Sequence, residues 1–564
     1  MTKPSSLFPL FLFLSPAFAA PLAQPSVSTT YGTWLGATSS SIDSFKAIPF
    51  AEPPIGDLRF GAPVKATKEY GSYDATKWGK SCPQLNLANG VFPSFFNDLA
   101  QDLLDWVTGL PIISNIAGTD AAEDCLFLNV FRPTGTAADA KLPVMVWIYG
   151  GAFVLGSTTM YDGANLVARA VSLKQPIILV SMNYRMNSFG FLPGAEASAD
   201  STVAPNAGLM DQRLALEWVQ ENIAAFGGDP TKVTLFGESA GAISVAFQML
   251  AFDGNIKSTS TGNDLFRAAI MQSGSPIPVG PPEYGQWSFD TLANAGGCGS
   301  ASDKIACLRG LSYAKMRDAT NALPNILSYR SVSLPFLPRT DGTFLTGTSQ
   351  ELERAGKYAR IPIINGDQYD EGTILALGTL NITTEAQLKT WLQQIWFPRA
   401  AESTIDQLLD YYPADVRQGS PFDTGLLYAV TPQWKRINAL VGDLVFQAPR
   451  RAFVGYTNAT QPTWSFSNRA GRNNPFLGSF HGADITTIFG LLSARASEEL
   501  QTRWINFAYN LDPNPAGGKW PNWPQYGNTA TLLQFNDGTS TVATDDFRLP
   551  GIQYIWAQVE ELTL

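Results

Sequence analysis

The pentapeptide Gly237-Glu238-Ser239-Ala240-Gly241 constrains the fold more than any other stretch of the chain. Before it stands an apolar, β-branched run, Lys232-Val233-Thr234-Leu235-Phe236. After it comes a small-residue run with helical character, Ala242–Leu250. Strand, sharp turn and helix in that order project the central serine hydroxyl beyond the end of a sheet, at the positive end of a helix dipole. A β-carbon at either flanking position would crowd so tight a bend, which glycine avoids. Alone the pattern is weak, because a glycine-rich strand–helix turn can also hold an inert serine.

Short β-type runs alternate with helical patterns along the rest of the chain, which predicts an α/β fold with a mostly parallel sheet. The expected strands are Val144–Tyr149, Ile177–Met182, Val233–Phe236, Ala268–Gln272, Ile361–Asn365 and Thr463–Ser467. Several end in polar or glycine-rich loops: Gly150-Gly151, Asn183-Tyr184-Arg185, the serine turn, Ser273-Gly274-Ser275 and Gly366-Asp367. Parallel sheets bind ligands beyond the carboxyl ends of their strands, so chemistry is expected in these loops. No internal repeat or long linker interrupts the pattern, and residues 20–564 read as one catalytic domain.

The composition excludes some partners. A formal charge of −10, a pI near 4.9 and no cluster of Lys and Arg argue against nucleic-acid binding. Residues 1–19 have the form of a secretory signal: Lys3, an apolar core from Leu7 to Leu14, and Ala17-Phe18-Ala19 for cleavage after Ala19. That core is too short to span a bilayer and no later apolar run is long enough, so no transmembrane anchor is expected. A secreted product also suits the 4 cysteines, which permit three pairings. Cys298 and Cys307 are close enough to close a small loop, which would leave Cys82 with Cys125. Asn381-Ile382-Thr383 and Asn458-Ala459-Thr460 are glycosylation candidates, or unused surface asparagines.

The region between Cys82 and Cys125, residues 83–124, has its own pattern. Phe95, Phe96, Leu99, Leu103, Trp106, Val107 and Leu110 recur at helical spacing, with Asn97, Asp98, Gln101, Asp102 and Asp105 on the other face. Pro93-Ser94 reads as a start, and Gly109 with Pro111 as a stop. Such a helix either packs on the core or forms a mobile flap. The length of the excursion favours the flap.

A catalytic serine needs a base, an acid to orient that base, and donors for an oxyanion. The chain has 1 histidine, His481, in the glycine-rich stretch Asn474–Gly482, so a histidine base must be His481. The acid is expected between serine and histidine, in Gly366-Asp367-Gln368-Tyr369-Asp370-Glu371-Gly372. Spacing does not separate Asp367, Asp370 and Glu371. Oxyanion donors are expected at Ala240, after the serine, and in Gly150-Gly151-Ala152-Phe153. Glu238 beside the serine either tunes the local field or is a buried, hydrogen-bonded carboxylate.

These stretches together resemble the type-B carboxylesterase/lipase family of cholinesterase-like α/β hydrolases, and most narrowly secreted fungal lipases and sterol esterases of the Candida rugosa type. The resemblance rests on Phe45–Pro54 with Arg59-Phe60, Glu123–Val130, Trp147–Phe153, Asn183–Arg185 and Asn206–Arg213. It also rests on Phe226–Pro230 through Gly241, Asp370–Gly372 and Phe480-His481. It implies an α/β-hydrolase fold with a large, mostly parallel sheet flanked by helices, and makes 83–124 a lid. It implies a Ser239–His481–Glu371 triad with oxyanion donors Gly151, Ala152 and Ala240, and calls for no metal or cofactor. It further implies Cys82–Cys125 and Cys298–Cys307 disulfides and a structural Arg59–Glu123 ion pair. One departure is visible: the oxyanion loop reads Gly-Gly-Ala where many relatives have three glycines, and the extra methyl would narrow the acyl entrance.

The expected activity is hydrolysis of acylglycerols, and of sterol esters, by a secreted enzyme working at a lipid–water interface as a monomer or a lid-mediated homodimer. The alternatives are a carboxylesterase for short soluble esters, a serine peptidase, or a non-catalytic adhesion protein on the same fold.

Overall fold

The computed structural model describes residues 24–87, 120–490 and 495–564. The expected signal at 1–19 and the helix face from Phe95 to Leu110 lie outside the described residues.

Eleven strands of the described residues form one sheet. In chain order they are β1 (Ala37–Ser39), β2 (Ile42–Pro49), β3 (Phe127–Pro133), β4 (Leu142–Ile148), β5 (Ile178–Met182), β6 (Gly228–Glu238), β7 (Ala268–Gln272), β8 (Ile363–Gln368), β9 (Thr463–Asn468), β10 (Thr531–Phe535) and β11 (Thr541–Thr544). Their spatial order is β11-β10-β9-β8-β7-β6-β4-β5-β3-β2-β1. From β10 to β5 every pairing is parallel, and the pairings at both margins are antiparallel. A smaller sheet of Ser26–Thr29, Gly32–Leu35 and Ser72–Asp74 stands beside it.

The central strands are buried from end to end: all five residues of β5 and of β7 are buried, as are Val144 to Ile148 of β4. That is the signature of a parallel sheet covered on both faces, where alternation gives way to continuous apolar runs. Helices α1 (Ala164–Ser172) and α5 (Arg495–Asn510) contact one another on one face. Helices α2 (Ala207–Asn222), α3 (Ala240–Gly254) and α4 (Ala448–Thr457) cover the other. In α3 every residue from Ala240 to Ala251 is buried, which explains a run apolar on all sides rather than on one stripe.

The expected strands all form, Ala268–Gln272 with its expected bounds and the others with shifted ends. β6 starts earlier, at Gly228, and β8 runs on to Gln368 because Asp367 and Gln368 pair in register with Ser467 and Asn468 of β9. Asp367 therefore lies in the sheet, not in the loop beyond it. β4 sits between β5 and β6, so the chain steps from β4 to one side and then returns to the other. A crevice opens at such a reversal, beyond the carboxyl ends of the strands. The turn after β6 carries Ser239, and the loop after β4 carries Gly151 and Ala152.

Cys82–Cys125 and Cys298–Cys307 are disulfide-bonded. Near them Arg59 makes a bidentate ion pair with Glu123, Nε to Oε1 at 2.6 Å and Nη2 to Oε2 at 2.7 Å. Its Nη1 donates to the carbonyls of Leu308, Arg309 and Leu311, so one guanidinium joins both disulfide regions. Asn381 is exposed, whereas the Asn458 side-chain amide donates to the carbonyls of Val454 and Gly455.

Candidate active site

Ser239 ends the strand and begins the helix with φ 57° and ψ −128°. A non-glycine residue in that region stores strain of about 1–3 kcal/mol, which the surrounding structure has to offset. Here the flanks enforce it: the Ser239 N–H donates to Gln272 O at 2.9 Å, and its carbonyl accepts the first helical bond from Ile243 N. Gly241 is held against β4 so closely that a β-carbon would overlap the carbonyl oxygen of Ile148. The glycine at this position is required by close approach of two backbones.

The imidazole of His481 lies between two partners. Its Nε2 is 2.7 Å from Ser239 Oγ, and its Nδ1 is 2.6 Å from Glu371 Oε2. The other oxygen of Glu371 accepts the backbone N–H of Gln368 at 2.6 Å, so the carboxylate is held from both ends. The ring of Phe446 packs on the imidazole with centroids 4.7 Å apart. Phe446 belongs to a single π-helical turn, Asp443–Gln447, and Gln447 next to it donates to Gln368 O. Such turns commonly mark functional positions.

The other two acids considered for the Glu371 position do different work. Asp367 is buried against Arg450, Oδ2 to Nε at 2.9 Å, and Arg450 also pairs with Asp545 at 2.7 Å. Asp370 ties loops together: Oδ2 accepts the Ser479 N–H at 3.0 Å, while Oδ1 accepts from Ser420 Oγ and the Phe422 N–H, both at 2.8 Å. Asp370 and Phe480 form an isolated parallel bridge, which places the histidine stretch beside the Glu371 turn.

Further carboxyl groups surround the imidazole. Glu238 Oε1 is 3.5 Å from His481 Nε2. Burial pushes the Glu238 carboxyl up to about 8, with Asp484 and Glu371 adding to the shift and His481 opposing it. Asp484 is raised to about 6, chiefly by burial, although Gln272 Nε2 donates to it at 2.7 Å. For His481, burial disfavours the cation, but Glu371 and then Glu238 outweigh it and raise the imidazole to about 9. The shifts are linked: a neutral Glu238 removes one of the charges that hold the proton on His481. The sequence offered no signal for Asp484 or Gln272 beyond their nearness to His481 and to the end of β7.

The loop after β4 carries Gly151 and Ala152, which line the same cavity as Ser239. Gly151, Ala152 and Phe153 have φ of 113°, 58° and 58°, three successive positive values. A β-carbon on Gly151 would overlap Leu155 O, whereas Ala152 is accommodated. Among the described residues nothing accepts a hydrogen bond from the N–H of Gly151 or Ala152. Ala240 is the first residue of α3, where an N–H has no partner within the helix. The loop is braced by Tyr184, whose hydroxyl donates to Tyr149 O at 2.9 Å and whose ring stacks on Tyr149.

Two apolar cavities meet at this point. One, of about 130 Å³, is lined by Leu87, Leu155, Met160, Ile326, Ile374 and Phe480 around Ser239. The other, of about 30 Å³, is lined by Phe153, Ile277, Val332, Leu334, Leu337 and Val445. Ala152, Ser239 and His481 border both. A hydroxyl bonded to an imidazole, that imidazole bonded to a carboxylate, and unpaired N–H groups nearby can attack an acyl carbonyl and hold the resulting oxyanion. A cavity to each side suits the acyl and alcohol parts of an ester.

Comparison with known proteins agrees with this chemistry. The chain is 42% identical to a secreted triacylglycerol lipase of Gibberella zeae over 98% of its length and 93% of the relative's. It is 44% identical to Lipase 2 of Diutina rugosa, covering 94% of this chain and 95% of that one. The crystal structure of Aspergillus niger EstA superposes with a TM-score of 0.79 at 25% identity, covering 96% of this chain and 99% of the other. PNB esterase superposes with a TM-score of 0.73 at 27% identity, covering 94% and 100%. Residues 23–548 match the carboxylesterase family along nearly the whole fold described above, and the chain belongs to that family, as a carboxylic ester hydrolase.

Proposed function

We propose that the chain is a secreted lipase that hydrolyses carboxylic esters of lipids, acylglycerols first and sterol esters second, through Ser239, His481 and Glu371. The observation that carries the reading is the unbroken contact from Ser239 Oγ through His481 to Glu371, set between two apolar cavities. The secreted triacylglycerol lipase among its relatives supports both the substrate class and the location outside the cell. The sequence form of residues 1–19 supports that location as well.

Ser239 Oγ attacks the ester carbonyl while His481 Nε2 takes its proton. Glu371 holds the Nδ1–H and stabilises the imidazolium. The N–H groups of Gly151, Ala152 and Ala240 donate hydrogen bonds to the oxyanion that forms on the carbonyl oxygen. His481 then protonates the departing alcohol. Water repeats the sequence on the acyl-enzyme, releasing the acid and regenerating Ser239. The cavity around Ser239 is lined mainly by apolar side chains, with Glu238 beside the serine, which favours aliphatic chains over anionic substrates.

Two measurements test the reading. Ser239→Ala and His481→Ala each abolish ester hydrolysis while the protein is still secreted; substantial remaining activity in either overturns the assignment. Rates on p-nitrophenyl butyrate, a long-chain triglyceride emulsion and cholesteryl oleate are then compared. Turnover of the butyrate alone overturns the lipid reading and leaves a short-ester carboxylesterase.

A further inference from the structure

Leu426 and Leu427 are the most exposed large apolar side chains among the described residues, at 71% and 63% of full exposure. They sit side by side at the tip of the loop between Ser420 and Val430. Scattered exposed leucines need no explanation, but an adjacent pair on a braced loop does.

The loop is held from inside. Lys435 is buried, and its ammonium donates to Thr424 Oγ1 at 2.7 Å, Gly425 O at 2.9 Å and Leu427 O at 3.3 Å. All three ammonium protons are therefore spent on the tip. At the base, Asp370 Oδ1 accepts from Ser420 Oγ and the Phe422 N–H, and Asn438 donates to Ser420 O. Asp423, Gly425 and Tyr428 all take left-handed backbone conformations, with φ of 63°, 59° and 63°. A chain so constrained presents its leucines outward as a fixed feature, with little ordering entropy left to lose on binding.

Its place in the fold matters equally. Asp370, which anchors the loop base, also holds the Ser479 N–H in the histidine stretch. The ring of Tyr428 meets Phe476, in the same stretch, at 5.0 Å. The loop is thus bonded to the segment that carries Phe480 and His481, which line the larger cavity. On its flank Arg469 and Arg472 both reach Asp423, at 2.6 and 3.4 Å, and Asp537 accepts the Gly471 N–H between them at 2.7 Å, so the charges there balance. An exposed apolar tip bonded to the segment that carries Phe480 and His481 fits a lipid–water interface, where leucine enters the oil.

We infer that Leu426 and Leu427 form an interfacial anchor that seats the protein on the surface of its insoluble substrate, with the entrance to Ser239 facing that surface. The inference rests on the lipid-ester reading above. The test uses the full-length protein and a Leu426→Ser/Leu427→Ser double variant, with Val542→Ser as a control at an exposed valine on the sheet-edge strand β11.

Adsorption to triolein droplets, read as depletion of protein from the aqueous phase, should weaken on the order of 10–100-fold in the double variant. Triolein hydrolysis should fall with it. Hydrolysis of dissolved p-nitrophenyl butyrate and the unfolding temperature should match the parent, and the control should adsorb normally. Equal adsorption of parent and double variant overturns the anchor, as does an equal loss in the control. A change in sedimentation from dimer to monomer with adsorption unchanged also overturns it, and assigns the tip to contact between copies. The parent hydrolysing butyrate but neither binding nor hydrolysing triolein overturns the lipid-ester reading itself, and the anchor with it. Parent activity on triolein with an unaffected double variant sinks the anchor alone.

Discussion

Glu238 Oε1 lies 3.5 Å from His481 Nε2, on the side of the imidazole that meets the Ser239 hydroxyl at 2.7 Å. A buried carboxyl so near the proton-accepting nitrogen acts on when that nitrogen becomes available.

His481 accepts a proton only when neutral, and its carboxylate neighbours raise it above its ordinary 6.5. Activity on a soluble ester is therefore expected to rise with pH along an acid limb whose midpoint lies above 6.5. Glu238→Gln removes one of the charges favouring the cation, so the limb moves to lower pH. The pH profile of kcat/KM for p-nitrophenyl butyrate reads this directly. An unmoved limb would mean that Glu238 carries no charge where His481 titrates.

The three acids of the 366–372 stretch should separate experimentally. Glu371→Gln leaves the shape but reverses the hydrogen-bonding sense at His481 Nδ1, and kcat is expected to fall on the order of 10⁴-fold. Asp367→Asn leaves the imidazole's partners intact but weakens the buried contact with Arg450, which keeps Asp545. That variant should melt earlier while its folded fraction stays within about tenfold of parental kcat. Single-turnover rates combined with thermal unfolding distinguish the two.

Ala152→Gly keeps the backbone N–H and relieves a left-handed residue with φ 58°. It also deletes a methyl that borders both cavities at the serine. Turnover of p-nitrophenyl butyrate should stay within a few-fold, and bulkier acyl groups should gain on the order of tenfold in kcat/KM, the scale of one methyl-sized contact in an apolar pocket. Competing esters with straight and branched acyl chains measure the ratio.

The disulfides differ in the chain they close, with sequence separations of 43 for Cys82–Cys125 and 9 for Cys298–Cys307. Replacing both cysteines of a pair by serine should cost about 4 kcal/mol for the longer loop and about 2.5 kcal/mol for the shorter, on the chain-entropy account. Denaturant unfolding of the two double variants measures the difference; equal losses would rule out loop length as the main cause.

Much of the fold was legible because continuous apolar runs between glycine-rich loops have few other solutions. The strand Ala268–Gln272 forms with its expected bounds, and the serine turn lies where strand and helix meet. The end of β8 was not legible, since Gly-Asp-Gln reads as loop until the neighbouring β9 supplies its hydrogen bonds. The same limit applied to the acids. Asp367, Asp370 and Glu371 are equivalent by spacing, and family resemblance alone preferred one.

By itself the sequence determined that His481 is the one imidazole available to Ser239, and that the glycines around that serine suit a turn too tight for side chains. Composition and local pattern suffice for such statements because they depend on residue type and near neighbours. Only the tertiary structure decided which carboxylate meets the imidazole, that Glu238 and Asp484 crowd it, and that Asp370 joins the histidine stretch to a loop tipped with Leu426 and Leu427. Those relations join residues distant in the chain. They depend on strand order and on which groups lose water together, and neither is written in any local run of amino acids.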